Sequence, residues 1–290
     1  MKENQSSRTA LGVAMRRAVH QILDDPKVFH DPLALRIVGL GGVWTTLIRW
    51  NTQIRKRFLE HSMLSLGRRA FMAARSRYAE DELHKAVQRG VCQYVILGAG
   101  LDTFAYRNSY PADVLRVFEV DHPATQAWKR RRLKEAGIPI PKTLTFSAIN
   151  FEIQNLEDGL CQAGFNAGQA TFFSWLGVTQ YLTKETIAAT LRFVASLPSG
   201  SGIVFDYHIS SSLLNPAQRL ARESLAQRVN LVDEPFQTCL DPSWLKSSLR
   251  AMGFGTVEDV VSEDLNALYF RDRSDKLRVS GPSHIMNARV

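Results

Sequence analysis

Hydrophobic and polar positions change their period near residue 91 of this 290-residue chain. Before it, Ala10, Val13, Ala14, Ala18, Ile22 and Leu23 recur at helical spacing. Pro26 and Pro32 interrupt the pattern. Phe71 to Arg89 reads as another helix. Leu83, Ala86 and Val87 form its apolar face, Asp81 and Glu82 stand near Lys85, and Gly90 is placed to end it. The stretch from Ile37 to Trp50, with Gly39, Gly41 and Gly42, is too apolar for an exposed linker. It reads either as the core of a helical lobe or, through Trp44 and Trp50, as one wall of a pocket.

Beyond residue 91, short apolar runs alternate with helical ones. Strands are expected near 94–97, 114–120, 143–148, 170–175 and 202–207, and helices near 101–107, 123–136, 153–163 and 184–197. This alternation implies an α/β fold, a parallel sheet with helices on both faces. Ligands of such sheets sit at the C-terminal ends of the strands, so site residues should follow strands directly. Residues 209–236 read as a loop plus an amphipathic helix carrying Leu213, Leu214, Leu220 and Leu225. Asp241 and Pro242 open a further helix, with Leu245, Leu249 and Met252 on one face and Gly253 at its end. Thr256–Val261 and Ala267–Phe270 read as two final strands, antiparallel to each other, and the polar tail from Arg271 as partly loose.

Two stretches carry candidate chemistry. Tyr94 to Leu97 is a short buried strand, Gly98-Ala99-Gly100 follows at once, and a helical run starts near Leu101. A strand, a glycine turn and a helix together let a ligand approach backbone N–H groups at a helix N-terminus. Only Gly98 and Gly100 fit the dinucleotide pattern, whose third glycine position is Thr103, and a tight turn alone would explain them. The next strand ends in Asp121, about twenty residues beyond the glycines. An acid there can accept hydrogen bonds from both ribose hydroxyls of a nucleoside, or cap the helix that His122 and Pro123 open. A nicotinamide oxidoreductase is the competing enzyme on such a fold, and the absent third glycine argues against it.

The run Leu97-Gly98-Ala99-Gly100-Leu101-Asp102-Thr103, followed by Phe118-Glu119-Val120-Asp121-His122-Pro123, resembles the S-adenosylmethionine-dependent methyltransferases of the leucine carboxyl methyltransferase superfamily. Within it, the chain is most similar to the bacterial branch of small-molecule and polyketide O-methyltransferases. The likeness extends to Thr9–Ala14, Asp24-Asp25-Pro26, Arg75–Tyr78, Gly177–Leu182 and Tyr269–Arg273. The resemblance implies a class I methyltransferase (Rossmann-like) sheet, mostly parallel with an antiparallel final strand. It implies a helical lobe over 1–90 packed on a cofactor-binding core over 91–290, with a substrate-covering insertion near 209–236. It also implies S-adenosyl-L-methionine as cofactor and a small-molecule carboxylate or hydroxyl as acceptor. A protein C-terminal carboxylate, or a non-catalytic relative that keeps the pocket, are the alternatives.

Site residues follow position by position. Gly98, Ala99 and Gly100 form the loop and Asp121 the ribose acid. Arg75 is the candidate for the methionine carboxylate, because a guanidinium grips a carboxylate through two hydrogen bonds; Arg77 is its rival. Asn150 stands where the family has an acid for the adenine amino group, and Phe151 covers the ring. Leu176 replaces a Glu found in many relatives, which leaves only packing and backbone roles there. Tyr181 faces either the transfer site or the core. His122 and His208 are candidate general bases, which a phenol would use and a carboxylate would not.

Composition narrows this little. The net charge is +8 and the pI near 9.6. The charge is scattered apart from Lys129-Arg130-Arg131-Arg132 and Lys134, which lie on an expected helix and read as its solvated face without interleaved aromatics. No nucleic-acid partner is expected. Cys92, Cys161 and Cys239 form no C-x-x-C pair, so no metal site is expected and a reducing cytoplasm fits. No signal peptide or membrane span is read.

Overall fold

The computed structural model describes residues 8–41, 66–151, 153–214, 216, 219 and 236–290. Trp44, Trp50, Leu220 and Leu225, and with them most of the expected insertion, lie outside the described residues.

Helices α1 (Arg8–Leu23), α2 (Ala34–Ile37) and α3 (Leu66–Gln88) precede the sheet. Then come β1 (Gln93–Leu97), α4 (Phe104–Arg107), β2 (Arg116–Asp121), α5 (Pro123–Glu135), β3 (Leu144–Ala148), α6 (Leu156–Gln162) and β4 (Thr171–Trp175). The chain continues through α7 (Lys184–Ala195), β5 (Gly202–His208), α8 (Pro242–Met252), β6 (Thr256–Val260), α9 (Ser262–Tyr269) and β7 (Ser283–Arg289). The seven strands lie in the order β3-β2-β1-β4-β5-β7-β6. β1 to β5 are parallel, and β7 runs antiparallel to both β5 and β6.

Strand alternation sends successive side chains to opposite faces. Tyr94, Ile96, Val117, Phe172 and Val204 pack on one face with α3 residues such as Ala74 and Leu83. Val95, Leu97, Phe118, Phe173 and Phe205 pack on the other with Leu160 of α6, Leu191 of α7 and Leu249 of α8. A third cluster joins Ala14 and Ala18 of α1 to Ile37, Leu101 and Leu133. A buried ion pair ties α1 to α3: both oxygens of Asp24 receive Arg69 at 2.8 and 2.7 Å, and His20 Nδ1 lies 2.8 Å from Oδ2. His20 Nε2 accepts the Val28 and Phe29 N–H groups, so Nδ1 carries the proton toward Asp24.

The five expected parallel strands are all present. The C-terminal reading needs correction. Ala267–Phe270 is the end of α9 and its cap, not a strand. The strand that pairs with β6 comes from the tail that reads as loose. It was hidden because His284 and Asn287 break its apolar run, although Ile285, Met286 and Ala288 are fully buried. Burying each of the larger side chains contributes about 1.5–3 kcal/mol. Lys129 also departs from the expected solvated face. It is 1 % exposed and its Nζ lies 2.7 Å from Glu119. Among the described residues no helix is long and apolar enough to cross a membrane, and no cluster of metal-ligating side chains occurs.

Candidate active site at the C-terminal ends of the strands

The loop between β1 and α4 sits over the middle of the sheet. Gly98 and Gly100 have φ of +64° and +45°, a region that favours glycine. A Cβ on Gly98 would lie 2.3 Å from Val178 Cγ2, and one on Gly100 would lie 3.1 Å from Ala10 Cβ of α1. The loop is therefore held between α1 and the turn after β4. Ala99 N–H donates to Val120 O at 3.0 Å, which fixes it against the tip of β2.

Asp121 is the last residue of β2. Its Oδ2 accepts the Gly100 N–H at 2.5 Å and its Oδ1 accepts the His122 N–H at 2.7 Å. A carboxylate offers about four lone-pair sites, so two directions remain for a ligand. Burial raises the Asp121 pKa, against the two backbone hydrogen bonds that lower it. The helix cap falls to His122 rather than Asp121: His122 Nδ1 accepts the Ala124 N–H at 3.2 Å.

Asn150 and Phe151 occupy the turn after β3. The Asn150 N–H donates to Gln154 Oε1 at 2.8 Å, and half-buried Phe151 packs on the core. After β4 come half-buried Leu176 and then Gly177 at φ +78°. Arg75 reaches this turn from α3. Its Nη2 would lie 2.9 Å from a Cβ on Gly177, and its Nη1 donates to Asp206 Oδ2 at 2.6 Å. That bond uses one of five guanidinium N–H groups. Its rival Arg77 points to the surface and pairs with Asp81 at 2.7 Å. The candidates thus follow strands as expected, apart from Arg75, which comes from a helix.

Tyr181 closes the 3₁₀ turn Thr179–Tyr181 beyond β4. Its ring centroid is 5.6 Å from that of Phe236, and Phe236 meets His208, the last residue of β5, edge-on at 4.9 Å. The Gln237 N–H donates to Gln180 O at 2.8 Å, and Thr179 Oγ1 to Asp206 O at 2.7 Å.

Sequence reasoning assigned no role to Asp206, Arg17, Asp31 or Arg107. Asp206 lies near the tip of β5, the same signal that singled out Asp121. Arg17 donates to Leu101 O at 2.5 Å and lies 3.3 Å from Asp102. Asp31 accepts from Thr103 Oγ1 at 2.7 Å, and Arg107 bonds Glu80 at 2.8 Å and lies 3.8 Å from Asp31. The Asp102 acid therefore ties the loop to Arg17 of α1, and the Thr103 hydroxyl ties it to Asp31 in the segment between α1 and α2. Arg17 lies on the buried face of α1 with Ala14, Ala18 and Gln21, but nothing local marks its partners, which only the fold brings to it.

A sheet ordered 3-2-1-4-5-7-6 with an antiparallel β7, a glycine loop after β1 and an acid at the tip of β2 defines a class I methyltransferase. Residues 10–195 match the leucine carboxyl methyltransferase family model, and the chain belongs to that family; it is an S-adenosylmethionine-dependent methyltransferase. It is 33% identical over 302 aligned positions to the Bacillus subtilis protein named "Putative S-adenosyl-L-methionine-dependent methyltransferase YktD", with 99% of each chain covered. Its fold is similar to a DUF574 family protein from Streptomyces avermitilis (TM-score 0.52, 13% identity, 99% and 98% of the two chains covered). It is also similar to a Thermobifida fusca protein named "putative methyltransferase" (TM-score 0.51, 16% identity, 82% and 88% covered).

Proposed function

We propose that the protein is an O-methyltransferase that moves a methyl group to a carboxylate or hydroxyl of a small-molecule acceptor. The observation that carries the cofactor site is the Asp121 carboxylate, fixed at the tip of β2 by the Gly100 and His122 N–H groups with two acceptor directions left over. Those suit the two ribose hydroxyls of S-adenosyl-L-methionine. When bound, that cofactor supplies a methyl group on a sulfonium, already a good leaving site. The protein's task is then alignment and exclusion of water.

Gly98, Ala99 and Gly100 give the methionine portion close backbone approach. Arg75 turns its remaining N–H groups to the methionine carboxylate while Asp206 fixes its plane. Asn150 accepts from the adenine amino group and Phe151 covers the ring. Leu176 is an apolar wall. His122 is occupied as a helix cap on the ribose side, so the reacting side falls to Tyr181 at the end of β4. Residues 1–90 act as a lobe over the loop, which Ala10 already touches. Cys92 and Cys161 are in no disulfide, which supports a reducing, cytoplasmic setting.

Calorimetry tests the reading directly. Saturable S-adenosyl-L-methionine binding is expected, and Asp121→Ala should weaken it at least tenfold. A native protein that releases no binding heat at millimolar cofactor would overturn it.

A further inference from the structure

We propose that Asp31 is a positioning residue of the cofactor site. Through the Thr103 hydroxyl it sets the turn that carries the Gly100 N–H, so the N-terminal lobe and the bound cofactor stabilise each other. This rests on the methyltransferase reading above and adds a coupling between two parts of the chain.

The Thr103 side chain is diverted from its ordinary use. Thr103 stands at the N-cap of α4, yet it makes no cap hydrogen bond. A threonine there ordinarily accepts a backbone N–H of the first turn. Asp102 Oδ1 takes the Phe104 N–H instead, at 2.7 Å. The Thr103 hydroxyl donates to Asp31 Oδ2 at 2.7 Å and accepts from Arg107 Nε at 3.2 Å. A helix cap has become a tie to the segment between α1 and α2.

Asp31 is itself held in place. It is fully buried. Its N–H donates to Gln21 Oε1 of α1 at 3.0 Å, and its Oδ1 accepts the Leu33 N–H at 3.1 Å. Arg17 Nε lies 3.7 Å from one of its oxygens and Arg107 Nε 3.8 Å from the other. Both cations are anchored elsewhere as well, Arg17 on Leu101 O and Arg107 on Glu80 of α3. A buried acid between two fixed cations resists displacement, because movement leaves charge unpaired.

From Thr103 the chain leads straight to the ribose acid. The Asp102 N–H donates to Ala99 O at 2.7 Å and closes a turn over Ala99–Asp102. Gly100 lies inside that turn, and its N–H is the donor that meets Asp121 Oδ2 at 2.5 Å. Releasing Thr103 from Asp31 lets the turn tilt and draws this N–H off the carboxylate. Coupling of this kind is reciprocal: what the lobe adds to cofactor affinity, the cofactor returns as order in the lobe.

The test uses the full chain and S-adenosyl-L-homocysteine, with affinity read by calorimetry. Thr103→Val keeps the branched shape and removes the hydroxyl, so affinity should fall about tenfold. Thr103→Ser restores the hydroxyl and should bring affinity back to within threefold of native. The Gly100 N–H also holds the Asp121 pKa down. In Thr103→Val the loss of affinity on acidification should therefore begin at a higher pH than in the native chain, which a general loss of stability would not cause. Lys129 of α5 and His122, the ionisable neighbours of Asp121, are the same in both chains. If Thr103→Val shows no cooperative thermal transition, Asp31→Asn is read in its place for affinity and pH profile. In the native chain, amide hydrogen exchange over residues 28–33 should slow at least threefold on saturation, and by more than in β6 at the far edge of the sheet. This arm stands whichever variant folds. Unchanged affinity or an unmoved pH profile in the variant that is read, a Thr103→Ser as weak as Thr103→Val, or exchange over 28–33 that responds no more than β6 would overturn the coupling. A native chain that does not bind S-adenosyl-L-homocysteine would instead overturn the methyltransferase reading itself.

Discussion

The Asp206 carboxylate stands 2.6 Å from the Arg75 guanidinium, and its other oxygen accepts the Gly177 N–H. Both side chains are almost fully buried. One acid at the tip of β5 thus sets the position of a helix-borne cation and of the turn after β4. Replacing one partner leaves the other charge buried and unpaired, which costs about 3 kcal/mol. Asp206→Asn should show that loss in urea unfolding at pH 7, together with weaker cofactor binding. Arg75→Met should weaken S-adenosyl-L-methionine at least tenfold by calorimetry. Unaltered affinity in Arg75→Met would remove Arg75 from the cofactor site.

The Gly98 loop predicts a partial rescue. Gly98→Ala meets Val178 Cγ2 at 2.3 Å and also carries a side chain at φ +64°. Adding Val178→Ala relieves the clash but not the left-handed backbone, which costs about 1–2 kcal/mol on its own. Thermal unfolding should place the double variant between the native chain and Gly98→Ala. Full recovery would show that backbone conformation is not what the glycine supplies.

Cofactor affinity should depend on pH through Asp121. Its ionised form is the acceptor, and burial raises its pKa above the usual 3.8. Binding should therefore weaken as pH falls, beginning at a higher pH than an ordinary aspartate would give. Calorimetry between pH 7 and pH 5 reads this directly, and Asp121→Asn should be weaker throughout and insensitive over the same range. A native affinity that is flat down to pH 4 would contradict the assignment.

A second titration lies inside the core. Glu119 is 1 % exposed and burial pushes its pKa up to about 7, although Lys129 beside it works in the opposite direction. Lys129 Nζ lies 2.7 Å from Glu119 Oε2, which also accepts the Tyr106 hydroxyl at 3.1 Å, while Glu119 Oε1 has no hydrogen-bond partner among the described residues. The folded state favours the protonated acid. Its contribution to stability is complete below the unfolded value near 4.5 and disappears as pH rises through about 7. Lys129→Met removes the compensating charge, so its loss of stability should be larger at pH 8, about 3 kcal/mol, than at pH 5. Equal losses at both values would show that packing, not charge, is what Lys129 provides.

Much of this was legible in the sequence because it depends on local rules. Tyr94–Leu97 and its two glycines, Asp121 at a strand end, and Asp241-Pro242 opening a helix all carry their signals within a few residues. β7 did not, because His284 and Asn287 face partners that are distant in sequence: Asp259 receives His284 at 3.1 Å, and Asn287 reaches Tyr78 and Glu82 of α3 at 3.2 and 3.1 Å. Lys129 looked like part of a basic surface because nothing local marks Glu119 as its neighbour. Arg75 is the candidate on the sequence with Arg77 as its rival, and only the packing of α3 against β4 and β5 turns Arg75 inward.

The strand order carries a consequence for synthesis on the ribosome. β6 touches the rest of the sheet only through β7, which is translated after it. Until residues 283–289 emerge, β6 has no edge to join and β5 offers an open row of N–H and C=O groups. The nascent domain must wait, with a sticky flank exposed, for its last strand to slide in between the two.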